Sequence, residues 1–141
     1  MMGKVIIDTS AWIDSFRPDS NKALSRLVRD LILKGNVLIP GIIKTELLRG
    51  TKNEKEYDRL SELLEGLEYL PVHEGFWIKL SQFSFGLFRK GVAVPLIDTY
   101  IALVCIENDV HILHRDKHFN LIAQKSPLKV LSDDNEDGLW N

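Results

Sequence analysis

The sequence predicts an α/β fold, with a central parallel sheet of four to five strands and helices on both faces. Short apolar runs alternate along the chain with segments whose apolar residues recur at helical spacing. The apolar runs are continuous, which is typical of strands that are covered on both faces. A chain of 141 residues with 45% hydrophobic residues fits one compact domain, which we expect to span residues 1–131.

Breaks in the apolar pattern divide this domain into strands and helices. Glycine and asparagine at 35–36 stop the second helix, and Pro40 opens the third because proline at a first helical position gives up no hydrogen bond. The third strand is the weakest, since Pro71 interrupts it. The strands are expected over residues 5–7, 37–39, 69–72, 110–113 and 128–131. The helices are expected from residue 10 and over residues 20–34, 40–50, 53–66, 74–90 and 97–108.

Composition and charge exclude several classes of protein. A net charge of −2 argues against a protein that wraps duplex DNA by bulk electrostatics, although a nuclease can draw positive charge from metal ions. With Cys105 as the only cysteine and no signal-peptide pattern, we expect a cytoplasmic protein. The apolar runs are too short to cross a membrane. Residues 132–141, which carry four acids, are expected to form a frayed acidic tail.

Four separated carboxylates, Asp8, Glu46, Asp98 and Asp116, are the strongest candidates for a functional site. Asp8 and Asp116 each follow a predicted strand, and ligands of open α/β sheets bind beyond the carboxyl ends of the strands. At about 100° per residue, Glu46 and Asp98 fall on the apolar faces of their helices. A carboxylate there is costly unless it is paired or binds a metal. Because hard divalent cations prefer carboxylate oxygen, the four acids indicate a Mg²⁺ or Mn²⁺ site.

Each acid also has a purely structural interpretation. Asp8 and Asp116 suit the N-caps of helices that follow strands, and Asp98 suits a cap at the start of its own helix. Glu46 can pair with Arg49, three residues further along the helix. The metal site is favoured because it explains all four acids at once.

The histidines do not indicate a zinc site, since the chain has no cluster of cysteine and histidine at zinc spacing. His111 and His114 are three residues apart, which places them on opposite faces of a strand. They are therefore poor candidates for ligands of one metal. We interpret His111 as structural, whereas His114 and His118 could lie near the acids.

Four segments around the acids carry a resemblance. They are VIIDTSAWI over residues 5–13, TELLRG over 45–50, LIDTYIA over 96–102 and HRDKHF over 114–119. In order and spacing they resemble the four motifs of PIN-domain proteins, especially the VapC toxins of toxin–antitoxin pairs, and the likeness covers nearly the whole chain. One position departs from the family, which often has Thr or Ser where this chain has His114.

The resemblance implies a PIN-like three-layer fold and a metal-dependent endoribonuclease. It assigns both catalysis and metal binding to the four acids, which would hold one or two Mg²⁺ or Mn²⁺ ions. In this chemistry a metal lowers the pKa of bound water, and the resulting hydroxide attacks an RNA phosphodiester. The candidates for orienting these groups or guiding the RNA are Ser10, Thr99, Arg115 and Lys117.

The resemblance also implies partners, which are an RNA substrate, a cognate VapB-like antitoxin and a second copy of the chain. The helix from Ile97 and the aromatic-rich segment 76–88 are candidates for the homodimer contact. A non-catalytic PIN-fold binding module and a PIN nuclease outside toxin–antitoxin systems are the alternatives. A haloacid-dehalogenase-like phosphatase expects a second aspartate where this chain has Ser10, and a receiver domain expects adjacent acids after its first strand.

Overall fold

The computed structural model, which describes residues 3–18 and 22–131, confirms the predicted fold class. Five parallel strands form one sheet in the order β3-β2-β1-β4-β5. They are β1 Val5–Ile7, β2 Val37–Pro40, β3 Glu68–Leu70, β4 His111–Leu113 and β5 Lys129–Leu131. The predicted acidic tail, residues 132–141, lies outside the described residues.

Helices connect all of the strands. They are α1 Thr9–Phe16, α2 Lys22–Leu33, α3 Gly41–Arg49, α4 Glu54–Glu65, α5 Phe76–Arg89, α6 Leu96–Glu107 and α7 Lys117–Ala123. Helices α1 to α4 pack together, and α5 to α7 form a second packed group. Because crossovers between parallel strands are right-handed, the two groups cover opposite faces of the sheet. Within the described ranges, none of the helices has the length and apolar character to cross a membrane.

The centre of the sheet confirms what the continuous apolar runs predicted. All three residues of β1 are buried, since β2 and β4 flank the strand and helices cover both of its faces. The edge strand β3 is more exposed than the central strands. It ends at Leu70, just before Pro71, whose missing N–H would leave a gap in the ladder.

The strand order locates the edge at which a ligand would bind. From β1 the chain moves through β2 to β3 on one side, and it then returns to place β4 on the other side of β1. At such a switch point the connections leave neighbouring strands in opposite directions, which opens a crevice at their carboxyl ends. Asp8 directly follows β1, and Asp116 lies three residues beyond the end of β4.

Candidate active site

Asp8 leaves β1 and begins α1 as its N-cap, as the structural interpretation expected. Its Oδ2 accepts hydrogen bonds from the backbone N–H of Ser10 at 3.1 Å and from the Ser10 hydroxyl at 2.6 Å. Burial raises the pKa of the Asp8 carboxyl, although the bonds from Ser10 lower it, and the charge of Asp116 raises it further. Only 5% of Asp8 is exposed. A helix cap in solvent would not carry this desolvation cost, so capping alone does not account for Asp8.

Ser10 connects the ends of the two strands at the switch point. Its hydroxyl donates to Asp8 and accepts the backbone N–H of Arg115 at 3.0 Å. The backbone N–H of Asp8 in turn donates to the carbonyl of Leu113 at 2.9 Å. Ser10 is therefore placed to orient Asp8, which is the role that the sequence suggested for it.

Glu46 is held from outside its own helix. The Thr9 hydroxyl, at the start of α1, donates to Oε1 of Glu46 at 2.8 Å, which joins α1 to α3. The partner that the structure shows for Glu46 is therefore Thr9, whereas the structural interpretation had paired it with Arg49. Thr9 was not among the candidate site residues expected from the sequence. The available signal was its position directly after Asp8 at the end of a strand.

Asp98 and Asp116 approach each other around His118. Asp98 lies in the first turn of α6 but does not cap it, since the N-cap position is Pro95. Asp116 is the N-cap of α7 and accepts the backbone N–H of His118 at 3.0 Å. The His118 Nδ1 atom lies 2.9 Å from Oδ2 of Asp98 and 3.1 Å from Oδ1 of Asp116. The structure thus brings His118 into the cluster more closely than its sequence position indicated.

The acids influence one another electrostatically across the crevice. Burial raises the pKa of Asp98, whose side chain is 13% exposed, while the hydrogen bond with His118 lowers it. The charges of Asp116 and Asp8 both raise the pKa of Asp98 further. Three helix N-termini lie beside these acids and partly offset their mutual repulsion. Asp8, Asp98 and Asp116 therefore belong to one site, and Glu46 connects to it through Thr9.

This donor set fits a divalent cation. One oxygen each from Asp98 and Asp116 and one ring nitrogen of His118 all lie within 4.8 Å of one another. Carboxylates that are desolvated and close to like charges lose stability when ionised, and a bound cation removes that cost. The geometry therefore suits a divalent metal without distinguishing Mg²⁺ from Mn²⁺.

His114, which stands where the family often has Thr or Ser, forms hydrogen bonds with Asp116 and Asn120. Its Nδ1 accepts the backbone N–H of Asp116 at 3.0 Å, so the other nitrogen, Nε2, carries the proton and donates to Oδ1 of Asn120 at 3.2 Å. Burial lowers the pKa of the His114 ring, which favours this neutral form. His114 thus supports the turn in which Asp116 lies.

Thr99, Arg115 and Lys117, the other candidates from the sequence, differ in their exposure and in their contacts. The Thr99 side chain is buried, and its hydroxyl donates to the carbonyl of Pro95 at 3.4 Å. The guanidinium Nε of Arg115 lies 3.4 Å from Oδ2 of Asp14. Lys117 is exposed at the first position of α7. Of these three, Lys117 is best exposed for contact with a substrate.

Comparisons with known proteins point to the same family as the four motifs. The family model of the PIN domain matches residues 5–125, which confirms the resemblance. Ribonuclease VapC11 from Mycobacterium tuberculosis is 29% identical over 133 residues, which cover 91% of this chain and 98% of that protein. The VapC ribonuclease Mb1587 from Mycobacterium bovis matches with the same identity and coverage.

Solved structures also share the fold. The crystal structure of FitAcB from Neisseria gonorrhoeae matches with a TM-score of 0.74 and 21% identity, covering 93% of this chain and 99% of that one. VapBC2 from Rickettsia felis, bound to a DNA fragment from its promoter, matches with a TM-score of 0.73 and 15% identity. This second likeness covers 90% of this chain and 96% of the other. At these identities the likenesses concern the fold.

Proposed function

This chain belongs to the PIN-domain family, and from that premise we propose that it is a metal-dependent endoribonuclease, the toxin of a toxin–antitoxin pair. The observation that carries the proposal is the group of acids at the switch point, where the charge of Asp116 raises the pKa of Asp8 and the charges of Asp116 and Asp8 raise the pKa of Asp98. The relatives named as VapC ribonucleases support RNA as the substrate. An RNA substrate favours a cytoplasmic location, which is part of this proposal.

In this proposal Asp8, Glu46, Asp98 and Asp116 hold Mg²⁺ or Mn²⁺. When bound, the metal neutralises the carboxylates and lowers the pKa of water, so that a hydroxide is available to attack the phosphodiester. The chain's own contribution is orientation. Ser10 fixes one oxygen of Asp8, and Thr9 fixes one oxygen of Glu46. The backbone of α7 fixes one oxygen of Asp116.

The test compares RNA cleavage with metal binding. Purified protein should cut a pool of cellular RNA in Mg²⁺ or Mn²⁺, and EDTA should stop the cleavage. The same Mn²⁺ should raise the thermal unfolding midpoint, because a ligand that binds only the folded state stabilises it. A thermal shift without cleavage under any of these conditions would indicate a binding module. If the protein shows neither a thermal shift nor cleavage, the proposed site is wrong.

A groove between α1, α2 and α4 supports the antitoxin as a partner. Two adjoining clefts share Phe16 and Leu63, whose side chains are about half exposed. The rims carry Arg29 and Arg59, so the groove suits an amphipathic segment with an apolar face and acidic flanks. Several solved structures of similar fold are named as VapBC complexes. We assign this groove to the apolar segment of the antitoxin.

We expect Phe16→Asp to weaken binding of the antitoxin encoded beside this gene by at least about 10-fold, because it places a charge in an apolar contact. The affinity can be measured by calorimetry with the purified antitoxin. RNA cleavage by the free toxin should not change. Leu121→Asp, on α7, is the matched control, since Leu121 is also exposed but lies in neither cleft. Equal weakening by both substitutions would contradict this groove.

A second apolar surface supports a homodimer. Helix α5 exposes Trp77, Ile78, Phe85 and Phe88, and the start of α6 adds Leu96 and Ile97. A surface with this many exposed apolar side chains is typical of a contact between proteins. We expect Phe85→Glu to shift the sedimenting species from dimer to monomer at micromolar concentration, while Phe16→Asp leaves it a dimer. A wild-type monomer at that concentration would argue against this interface.

A further inference from the structure

The position of His118 bears on how the metal is held. Its Nδ1 atom lies close to both acids of the cluster, 2.9 Å from Asp98 and 3.1 Å from Asp116. A single N–H on Nδ1 can point at only one of the two carboxylates at a time. A hydrogen bond therefore explains well the closeness of Nδ1 to one of these acids but not to both. Neighbouring ligands on a six-coordinate ion with bonds of about 2.1 Å lie about 3.0 Å apart. The two spacings of His118 match that separation.

The ring of His118 is held where it is by the start of α7. Its own backbone N–H donates to Oδ1 of Asp116, the same oxygen that its ring approaches. The next residue, Phe119, is fully buried and anchors the helix in the core. The backbone of His118 is therefore fixed beside the two acids. One ligand atom from each of Asp98, Asp116 and His118 lies within 4.8 Å of the others, a spacing at which all three could hold the same ion.

We propose that His118 is a direct metal ligand through Nδ1, so that the centre binds its ion with one imidazole nitrogen beside the carboxylate oxygens. This inference rests on the proposed metal-dependent function. Ligation uses the Nδ1 lone pair, and the ring then keeps its proton on Nε2. A site of this kind favours Mn²⁺ over Mg²⁺, because Mg²⁺ strongly prefers oxygen and imidazole suits the softer transition metals.

The test is a spectroscopic one on the protein loaded with Mn²⁺ alone. In pulsed electron paramagnetic resonance, a directly bound imidazole gives a ¹⁴N coupling to the Mn²⁺ spins. We expect this coupling in the wild type and its loss in both His118→Gln and His118→Ala. We also expect the Mn²⁺ affinity, measured by calorimetry, to fall by at least about 10-fold, as loss of even an outer partner costs 10- to 100-fold. The Mg²⁺ affinity should fall less.

His73→Ala is the matched control. His73 is more exposed than His118 and pairs with Glu107, away from the acid cluster, so its removal should leave both the coupling and the affinity unchanged. A coupling that survives in both His118 variants would overturn the inference. Wild-type protein that binds Mn²⁺ but shows no ¹⁴N coupling would also overturn the inference. If that protein still cuts RNA, the proposed function stands, with a metal site that does not include His118. Absence of both Mn²⁺ binding and cleavage would overturn the proposed function as well.

Discussion

Asp98→Asn is expected to lower RNA cleavage by at least about 100-fold while the protein remains folded. The asparagine keeps the size of the side chain and can still form a hydrogen bond with His118, since its amide can donate as well as accept. It removes the negative charge on which metal binding depends, and loss of a ligand costs more than the 10- to 100-fold typical of an outer partner. Cleavage of a defined RNA under single-turnover conditions measures the effect.

The stability of the Asp98→Asn variant separates this explanation from misfolding. Burial raises the pKa of Asp98, so the folded state favours the protonated form. The stability that this group contributes is present at low pH and is lost as the pH rises through the raised pKa. Asparagine does not ionise and so does not lose this stability. We therefore expect the thermal unfolding midpoint of metal-free Asp98→Asn to rise above that of the metal-free wild type as the pH is raised to neutral.

A matched acid on the surface provides the control for Asp98→Asn. Glu65 is well exposed and pairs with Lys44, so Glu65→Gln should cut RNA at the wild-type rate. Equal cleavage by Asp98→Asn and the wild type would remove Asp98 from the site. A loss of cleavage together with a lower unfolding midpoint at neutral pH would instead point to a structural role.

The sequence predicted the partial burial of Asp98 and Glu46, because helix periodicity carries information about burial. Both acids fall on the apolar faces of their helices, and both are at least partly buried in the fold. For Asp8 and Asp116 the sequence offered capping and metal binding as alternatives. The structure shows that both acids cap helices. One oxygen can accept a backbone N–H while the other stays available, so the two roles are compatible.

His118 shows what the sequence could not supply. Its contact with Asp98 spans 20 positions and depends on α7, a helix of seven residues that the pattern of apolar residues did not predict. So short a segment contains too few turns for its periodicity to stand out. Strand order was equally inaccessible, because β1 and β4 become neighbours only through the crossover that follows β3.

Ser10→Ala is expected to affect both stability and cleavage, since its hydroxyl makes two contacts at the switch point. The substitution leaves the backbone N–H of Arg115 without this acceptor and removes the closest donor to Asp8. Loss of such bonds costs about 1–3 kcal/mol of unfolding free energy. Cleavage should fall by about 10- to 100-fold, as for other groups that orient metal ligands. Chemical denaturation and single-turnover cleavage, both well below the unfolding midpoint, measure the two effects.

A pH profile distinguishes orientation of Asp8 from a general loss of stability. In the wild type the Ser10 hydrogen bonds lower the pKa of Asp8 against the effect of burial. Without the hydroxyl that pKa rises, and a carboxylate must be ionised to bind a metal. Cleavage by Ser10→Ala should therefore begin to fail at a higher pH than in the wild type as the medium is acidified. Ser10→Thr, which keeps a hydroxyl, should restore the wild-type profile.

Ser81→Ala is the control for this last comparison. Its exposed hydroxyl donates to the carbonyl of Trp77 within α5 and makes no contact with the acids. We expect it to leave the rate, the pH profile and the unfolding free energy unchanged within about 0.5 kcal/mol. If Ser10→Ala lost stability but kept the wild-type pH profile, the hydroxyl would serve only to join the ends of β1 and β4. If the pH profile is shifted in Ser10→Ala and returns to that of the wild type in Ser10→Thr, the Ser10 hydroxyl acts on the ionisation of Asp8 itself.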